Sequence, residues 1–153
     1  MGEFLGANKT KYDAGGSGDN VISDGYIKSV EKIWMDSYAC GTTPISSADT
    51  ICIATIPANK KITGVEIFIP ASQTPTGATI TVGTVGDSDK FISSTAITQF
   101  IDSAVNEDVG VIRMNNPDGF QFVTTAATDI FLAFDTIALT TTNGTIKTKV
   151  MYT

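Results

Sequence analysis

A chain of 153 residues is one ordinary domain's worth, enough to bury a single core and too short for two comfortable ones. The apolar share of 42% suffices for a packed interior, while a charged share of 17%, against roughly 25% in an average soluble protein, leaves much of the surface to Thr, Ser, Asn and Gly. A net charge of -6 with only ten Lys and Arg, of which Lys60 and Lys61 are the one adjacent pair and Arg113 the sole arginine, excludes the clustered phosphate neutralisation on which nucleic-acid binding rests.

The chain opens on a polar, Gly-rich stretch. Residues 1–24 contain "YDAGGSGDNVISDG", with too few apolar groups to pack alone, and are expected to form an extended N-terminal arm held by a partner surface. Residues 25–153 are expected to form one β-sandwich domain. The opening "MGEFLGANKTKYDAGG" lacks the charged and apolar regions of a secretory leader, and no apolar run approaches the roughly 20 residues of a membrane span. A soluble, unsecreted chain with no membrane partner is therefore expected.

"YIKSVEKIWMDSYA", residues 26–39, fits a helical stripe through Tyr26, Val30, Ile33, Trp34 and Tyr38. A strand over 29–39 is preferred, with Ile33 and Met35 opposing Trp34, Asp36 and Tyr38, because everything downstream is β. Cys40 and Cys52 flank the next loop. They could bridge neighbouring strands in an oxidising compartment, but the missing secretion signal favours two buried thiols.

Alternation is clearer from there. "TICIATI" puts Ile51, Ile53 and Thr55 on one side and Cys52, Ala54 and Ile56 on the other. "ITGVEIFIP" sets Val65, Ile67 and Ile69 against Glu66 and Phe68, and "ATITVG" sets Ile80 and Val82 against Thr79 and Thr81. "KFISSTAI", "VGVIRMN", "GFQFVT" and "TDIFLAFDTIAL" are further candidates. The last begins apolar on both faces and so belongs near the middle of a sheet. "GTIKTKVMYT" alternates Ile146, Thr148, Val150 and Tyr152 with Lys147, Lys149 and Met151. Eight or nine short strands between Gly, Pro, Asn and Asp turns, without an internal repeat, predict an all-β fold: an antiparallel, jelly-roll-like β-sandwich.

The chemistry is sparse. No His occurs, which removes the usual general base, the commonest metal ligand and every Ser-His or Cys-His dyad. Phosphate-loop, dinucleotide, nucleophile-elbow and CxxC patterns are also missing, so no enzymatic activity and no cofactor are expected. Paired carboxylates remain, since glycosidase acids stand about 5–5.5 Å or about 6.5–9.5 Å apart. The candidates are Glu31, Glu66, Asp87, Asp89, Asp118, Asp129 and Asp135, but a single Trp leaves few platforms for a sugar. "TVGDSDK" places Asp87 and Asp89 one residue apart beside a Gly. That is too few oxygens for a Ca²⁺ loop and reads first as a turn, then as a partner contact. Trp34, Tyr38, Phe100 and Phe120 are assigned to the core by default, and residues 98–110 to a long loop of the kind that meets partners.

The runs "KYDAGGSGDNVISDGYIKSVEKIWMDSY", "IATIPANKKITGVEIFIP", "ATITVGTVGDSDKFISSTAI" and "TNGTIKTKVMYT" together resemble small structural proteins of tailed bacteriophages, particularly capsid decoration or cement proteins. The resemblance implies a jelly roll on the outer capsid surface, assembled in the host cytoplasm. It further implies a homotrimer that binds the major capsid protein and braces adjoining capsomers. No functional residue carries over position by position. The candidate partner-binding residues are Lys9, Lys11, Tyr12, Asp13, Val21 and Ile22 of the arm with Asp87 and Asp89. A low-copy tail, fibre or head-spike adaptor, or a carbohydrate-binding module, would use the same sandwich.

Overall fold

In a computed structural model of the chain, the described residues are 3–5, 31–40, 45–47, 49–69, 79–97, 110–134 and 145–153. The strands are β1 (Glu3–Leu5), β2 (Lys32–Ala39), β3 (Thr50–Ile56), β4 (Ile62–Ile69), β5 (Thr79–Thr84), β6 (Asp87–Ala96), β7 (Gly110–Arg113), β8 (Thr128–Phe134) and β9 (Thr145–Tyr152). A 3₁₀ turn, Pro117–Gly119, lies between β7 and β8. One sheet has the order β1-β3-β8-β5-β6 and the other β2-β9-β4-β7.

Four antiparallel pairs explain the order. β2 pairs with β9, β3 with β8, β4 with β7 and β5 with β6, so the chain is one long ribbon folded back at β5–β6. Rolling that ribbon sends alternate pairs to opposite sheets, and the additional β4–β9 and β5–β8 pairings knit each sheet together. This is a jelly roll. Every connection from β2 onward except the two-residue turn at Val85 and Gly86 passes from one sheet to the other.

Alternation fills the space between the sheets. Val65, Ile67 and Ile69 of β4, Ile80 and Val82 of β5, Ile130, Leu132 and Phe134 of β8, and Ile146 and Val150 of β9 are buried in one cluster with Trp34. β8 sits centrally between β3 and β5, as its apolar run demands. β3 departs from strict alternation. A register shift between Cys52 and Ala54 brings Ile51, Ile53, Ala54 and Ile56 all into the core, where simple alternation splits them between two faces. Cys40 and Cys52 are both buried and not bridged.

Two elements differ from the sequence expectation, and the ambiguous one resolves as preferred. β1 arises within the polar arm and pairs parallel with β3, Glu3 opposite Thr50 and Leu5 opposite Cys52, giving an otherwise antiparallel sheet one parallel edge. Within residues 26–39 the preferred strand is the one that forms, over Lys32–Ala39, with no helix in the described part. "GFQFVT" is not a strand. It holds the end of the 3₁₀ turn, Gln121 at φ 75° and an isolated bridge from Val123 to Lys61. Its apolar residues follow packing rather than a sheet: Phe122 meets Phe91 edge-on, with centroids 5.7 Å apart.

That connection closes one end of the sandwich. Thr124, fully buried, donates its Oγ1 hydrogen toward the Pro57 carbonyl at 2.6 Å and accepts from the Lys60 amide at 3.0 Å. Its own amide donates to the Lys60 carbonyl, and the Asn59 amide to the Thr124 carbonyl, so the β3–β4 turn is tied to the β7–β8 connection. Asn59, at φ 59°, is a residue type that tolerates the left-handed region this turn needs. Asn115 and Asn116 cover the outer edge of β6. Their amides donate to the Phe91 carbonyl, Asn115 Oδ1 accepts from the Ser93 amide at 2.9 Å, and Asn116 Nδ2 donates to the Asp89 carbonyl at 2.8 Å. A naked edge would invite pairing with another chain, and two consecutive amide side chains occupy this one.

Thr124→Val keeps the volume but strands the Lys60 amide and the Pro57 carbonyl, and is expected to cost about 1–3 kcal/mol in urea unfolding. Gly119→Ala would place a Cβ 2.5 Å from the Lys90 carbonyl oxygen and 3.0 Å from Phe91 Cα. It is expected to cost about 1–3 kcal/mol by overpacking. Unchanged midpoints for both variants would contradict the closure described here.

Candidate partner-binding surfaces

Two exposed surfaces combine apolar side chains with charge. The first is the β6 tip. "GDSDK" is not a loop: the turn contains only Val85 and Gly86, and Asp87 already pairs across with Thr84 at the start of β6. The turn is shorter than the acid-Gly pattern suggests because hydrogen bonding of β5 to β6 continues to its last residue. Asp87 and Asp89 therefore project from a strand end. Asp87 faces Lys90 at 3.4 Å, and Lys90 also lies over the Phe122 ring at 5.7 Å. Asp89 and Asp118 are exposed. Asp118 is brought beside β6 because its amide caps onto Asn116 Oδ1, while Asn116 reaches the Asp89 carbonyl. Val85, 88% exposed, and Phe120, 52% exposed, supply the apolar part. Phe120 is thus a surface residue and not the core residue that its type suggests.

The second surface is the outer face of the four-stranded sheet. Residues opposite one another across an antiparallel pair share a face. The registers give rows of Ile33, Met151 and Gly64, then Met35, Lys149, Glu66 and Arg113, then Ser37, Lys147, Phe68 and Val111. Met151 lies across Gly64, whose missing Cβ leaves the room. Ile33 and Met35 are 41% and 60% exposed. Glu66 accepts from Arg113 Nε at 3.1 Å and from Lys149 Nζ at 3.3 Å. Glu31, at the margin, accepts from the Thr63 hydroxyl. Lys147 has no acidic partner among the described residues; its cross-strand neighbours are Ser37 and Phe68.

The remaining candidates separate. Lys9, Lys11, Tyr12, Asp13, Val21 and Ile22, together with Phe100 and Asp135, lie outside the described residues, as does the 98–110 loop apart from Gly110, which opens β7. Trp34 is in the core, and Tyr38 packs against it, its phenol pushed up from the usual range by burial and by nearby Cys40 and Asp49. Of the other carboxylates, Glu66 lies on the outer face of one sheet. Asp129, which accepts from the Thr55 hydroxyl at 2.6 Å, lies on the outer face of the other. The core separates those two acids, so they do not form a pair across one substrate. No group of three or more metal-ligating side chains occurs among the described residues. The signal that sequence inspection missed is the outer-face grid. Only the β2–β9–β4–β7 register brings Met35, Lys147, Lys149 and Arg113 together from positions far apart in the chain.

No protein-family model and no curated protein matches this sequence. Solved structures do. A chain of the cyanophage Pam1 capsid asymmetric unit superposes with a TM-score of 0.61 at 19% identity, covering 89% of this chain and 96% of that one. A chain of the capsid of Ralstonia phage GP4 gives 0.52 at 17% identity over 86% and 91%. At such identities the likeness is one of fold.

Glu66 sets a pH dependence. Burial raises its carboxyl, but the hydrogen bonds and charges of Arg113 and Lys149 outweigh that and hold it below its ordinary 4.5. The unfolded chain takes up this proton at higher pH than the folded chain does. The contribution of Glu66 is therefore complete above about pH 4.5 and lost as pH falls through the lowered folded value. Unfolding free energies measured by urea between neutral pH and pH 3 should decline less steeply in Glu66→Gln than in the parent chain; equal slopes would show that the carboxylate contributes nothing.

Proposed function

We propose that this chain is a structural protein of a phage virion. It binds the major capsid protein on the outer surface of the shell and braces adjacent capsomers there as a homotrimer, after assembly in the host cytoplasm. The observation that carries the reading is the fold likeness to a chain of the Pam1 capsid asymmetric unit, which spans nearly the full length of both chains. The GP4 capsid chain supports it on the same terms. The sequence supports it by what it lacks, a His-based catalytic centre above all, and by its largely uncharged polar surface.

Bracing of this kind works by mass action. A protein that binds only the assembled shell stabilises it by about 2.7 kcal/mol per site at a hundredfold excess over Kd, and repetition over the shell multiplies the effect. A trimer would engage several capsomers together, raising effective concentration without strengthening any single contact.

The arm is assigned the larger share of shell binding. β1 anchors it to the edge of β3, and the residues from Gly6 to Asp24, which include Lys9, Lys11, Tyr12, Asp13, Val21 and Ile22, could reach about 60 Å if extended. Removal of residues 1–24 should leave a cooperatively folding domain that no longer co-sediments with purified shells lacking this protein. Full-strength co-sedimentation of the truncated chain would overturn the role of the arm, and failure of the full chain to co-sediment would overturn shell binding itself.

A further inference from the structure

The two surfaces described above are complementary to each other. On the outer face of the four-stranded sheet, Arg113, Lys147 and Lys149 outnumber Glu66 and the marginal Glu31, in a chain whose net charge is -6. Cations make up only ten of its residues, so three on one face leave the remaining surface more acidic than the average. Ile33, Met35 and Met151 add an apolar strip along the β2 side of that face. At the β6 tip the pattern is inverted: Asp87, Asp89 and Asp118 outnumber Lys90, and Val85 and Phe120 stand exposed among them. Lys60 and Lys61 adjoin the 122–124 part of the β7–β8 connection, not its Asp118 end.

We propose that the occupant of the outer face is a second copy of this chain, seated through its β6 tip. Val85 and Phe120 of one copy cover Met35 and Ile33 of the next, and the tip acids face Lys147 and Arg113. Such a contact joins two different patches. It is heterologous, so it repeats from copy to copy until a rotation closes the ring. This deepens the trimer part of the preceding reading and rests on it for the number of copies, but not for shell binding. It also gives the exposed apolar side chains of both surfaces one cover, which scattered single exposures would not need.

Charge reversal tests the pairing in solution. The full chain should sediment as one closed oligomer in analytical ultracentrifugation, without shells present. Lys147→Glu with Arg113→Glu, and separately Asp89→Lys with Asp118→Lys, should each weaken assembly by about tenfold or more, because like charges then face each other across the contact. Combining all four substitutions in one chain should restore the oligomer, a recovery that misfolding of either parent variant could not produce. A monomeric full chain would overturn the self-contact while leaving shell binding to the co-sedimentation result. Unaltered assembly of either double variant, or no recovery in the combined one, would also overturn it.

Discussion

Everything else in this molecule depends on alternate residues of eight strands being buried between two sheets at once. The ribbon formed by pairing β2 with β9, β3 with β8, β4 with β7 and β5 with β6 has one apolar side. Left flat, that side would face water. Rolling it into two sheets turns Ile67, Ile80, Leu132, Phe134 and Val150 toward one another in a single cluster. The bulge in β3 serves the same end, because it adds Ile53 and Ala54 to the core beside Ile51 and Ile56 instead of leaving half of them outside. Burial on this scale is the dominant favourable term in folding.

Once the core fixes the sheets, their borders need cover, and polar side chains supply it. Thr124 satisfies both its neighbours' backbone groups and its own at the closed end, while Asn115 and Asn116 occupy the β6 edge. β1 sits on the edge of β3 at the opposite border of that sheet. What is left open is selective. Of the large apolar side chains that stay exposed among the described residues, Val85 and Phe120 fall on the β6 end, Ile33 and Met35 on the β2 side of the outer face and Val123 beside Lys61, and each place also carries charge.

Much of this was legible in the sequence, and the reason is period. β3, β4, β5, β8 and β9 alternate with few interruptions, so their positions and, outside β3, their faces follow from side-chain type alone. β1 was not legible, since three residues in a Gly-rich arm carry no periodic signal and their pairing depends on an edge formed far away in the chain. "GFQFVT" misled because alternating aromatics also suit a segment that packs one ring, Phe122, on Phe91 while turning away at Gln121. Asp87 and Asp89 read as a turn but open β6, as local composition cannot tell a strand's first residues from a turn. The charged outer face was hidden for a deeper reason: Met35, Arg113 and Lys147 become neighbours only through register.

As proposed, this jelly roll is a repeated part of a virion shell, with the arm and two complementary surfaces as its means of attachment. The most direct measurement is the number of copies of this chain per purified particle, relative to the major shell protein, by quantitative mass spectrometry. Hundreds of copies are expected, on the order of a shell's repeated sites, in a simple ratio to the shell subunit. A handful would move the chain to a tail, fibre or spike, and its absence from particles would contradict the claim outright.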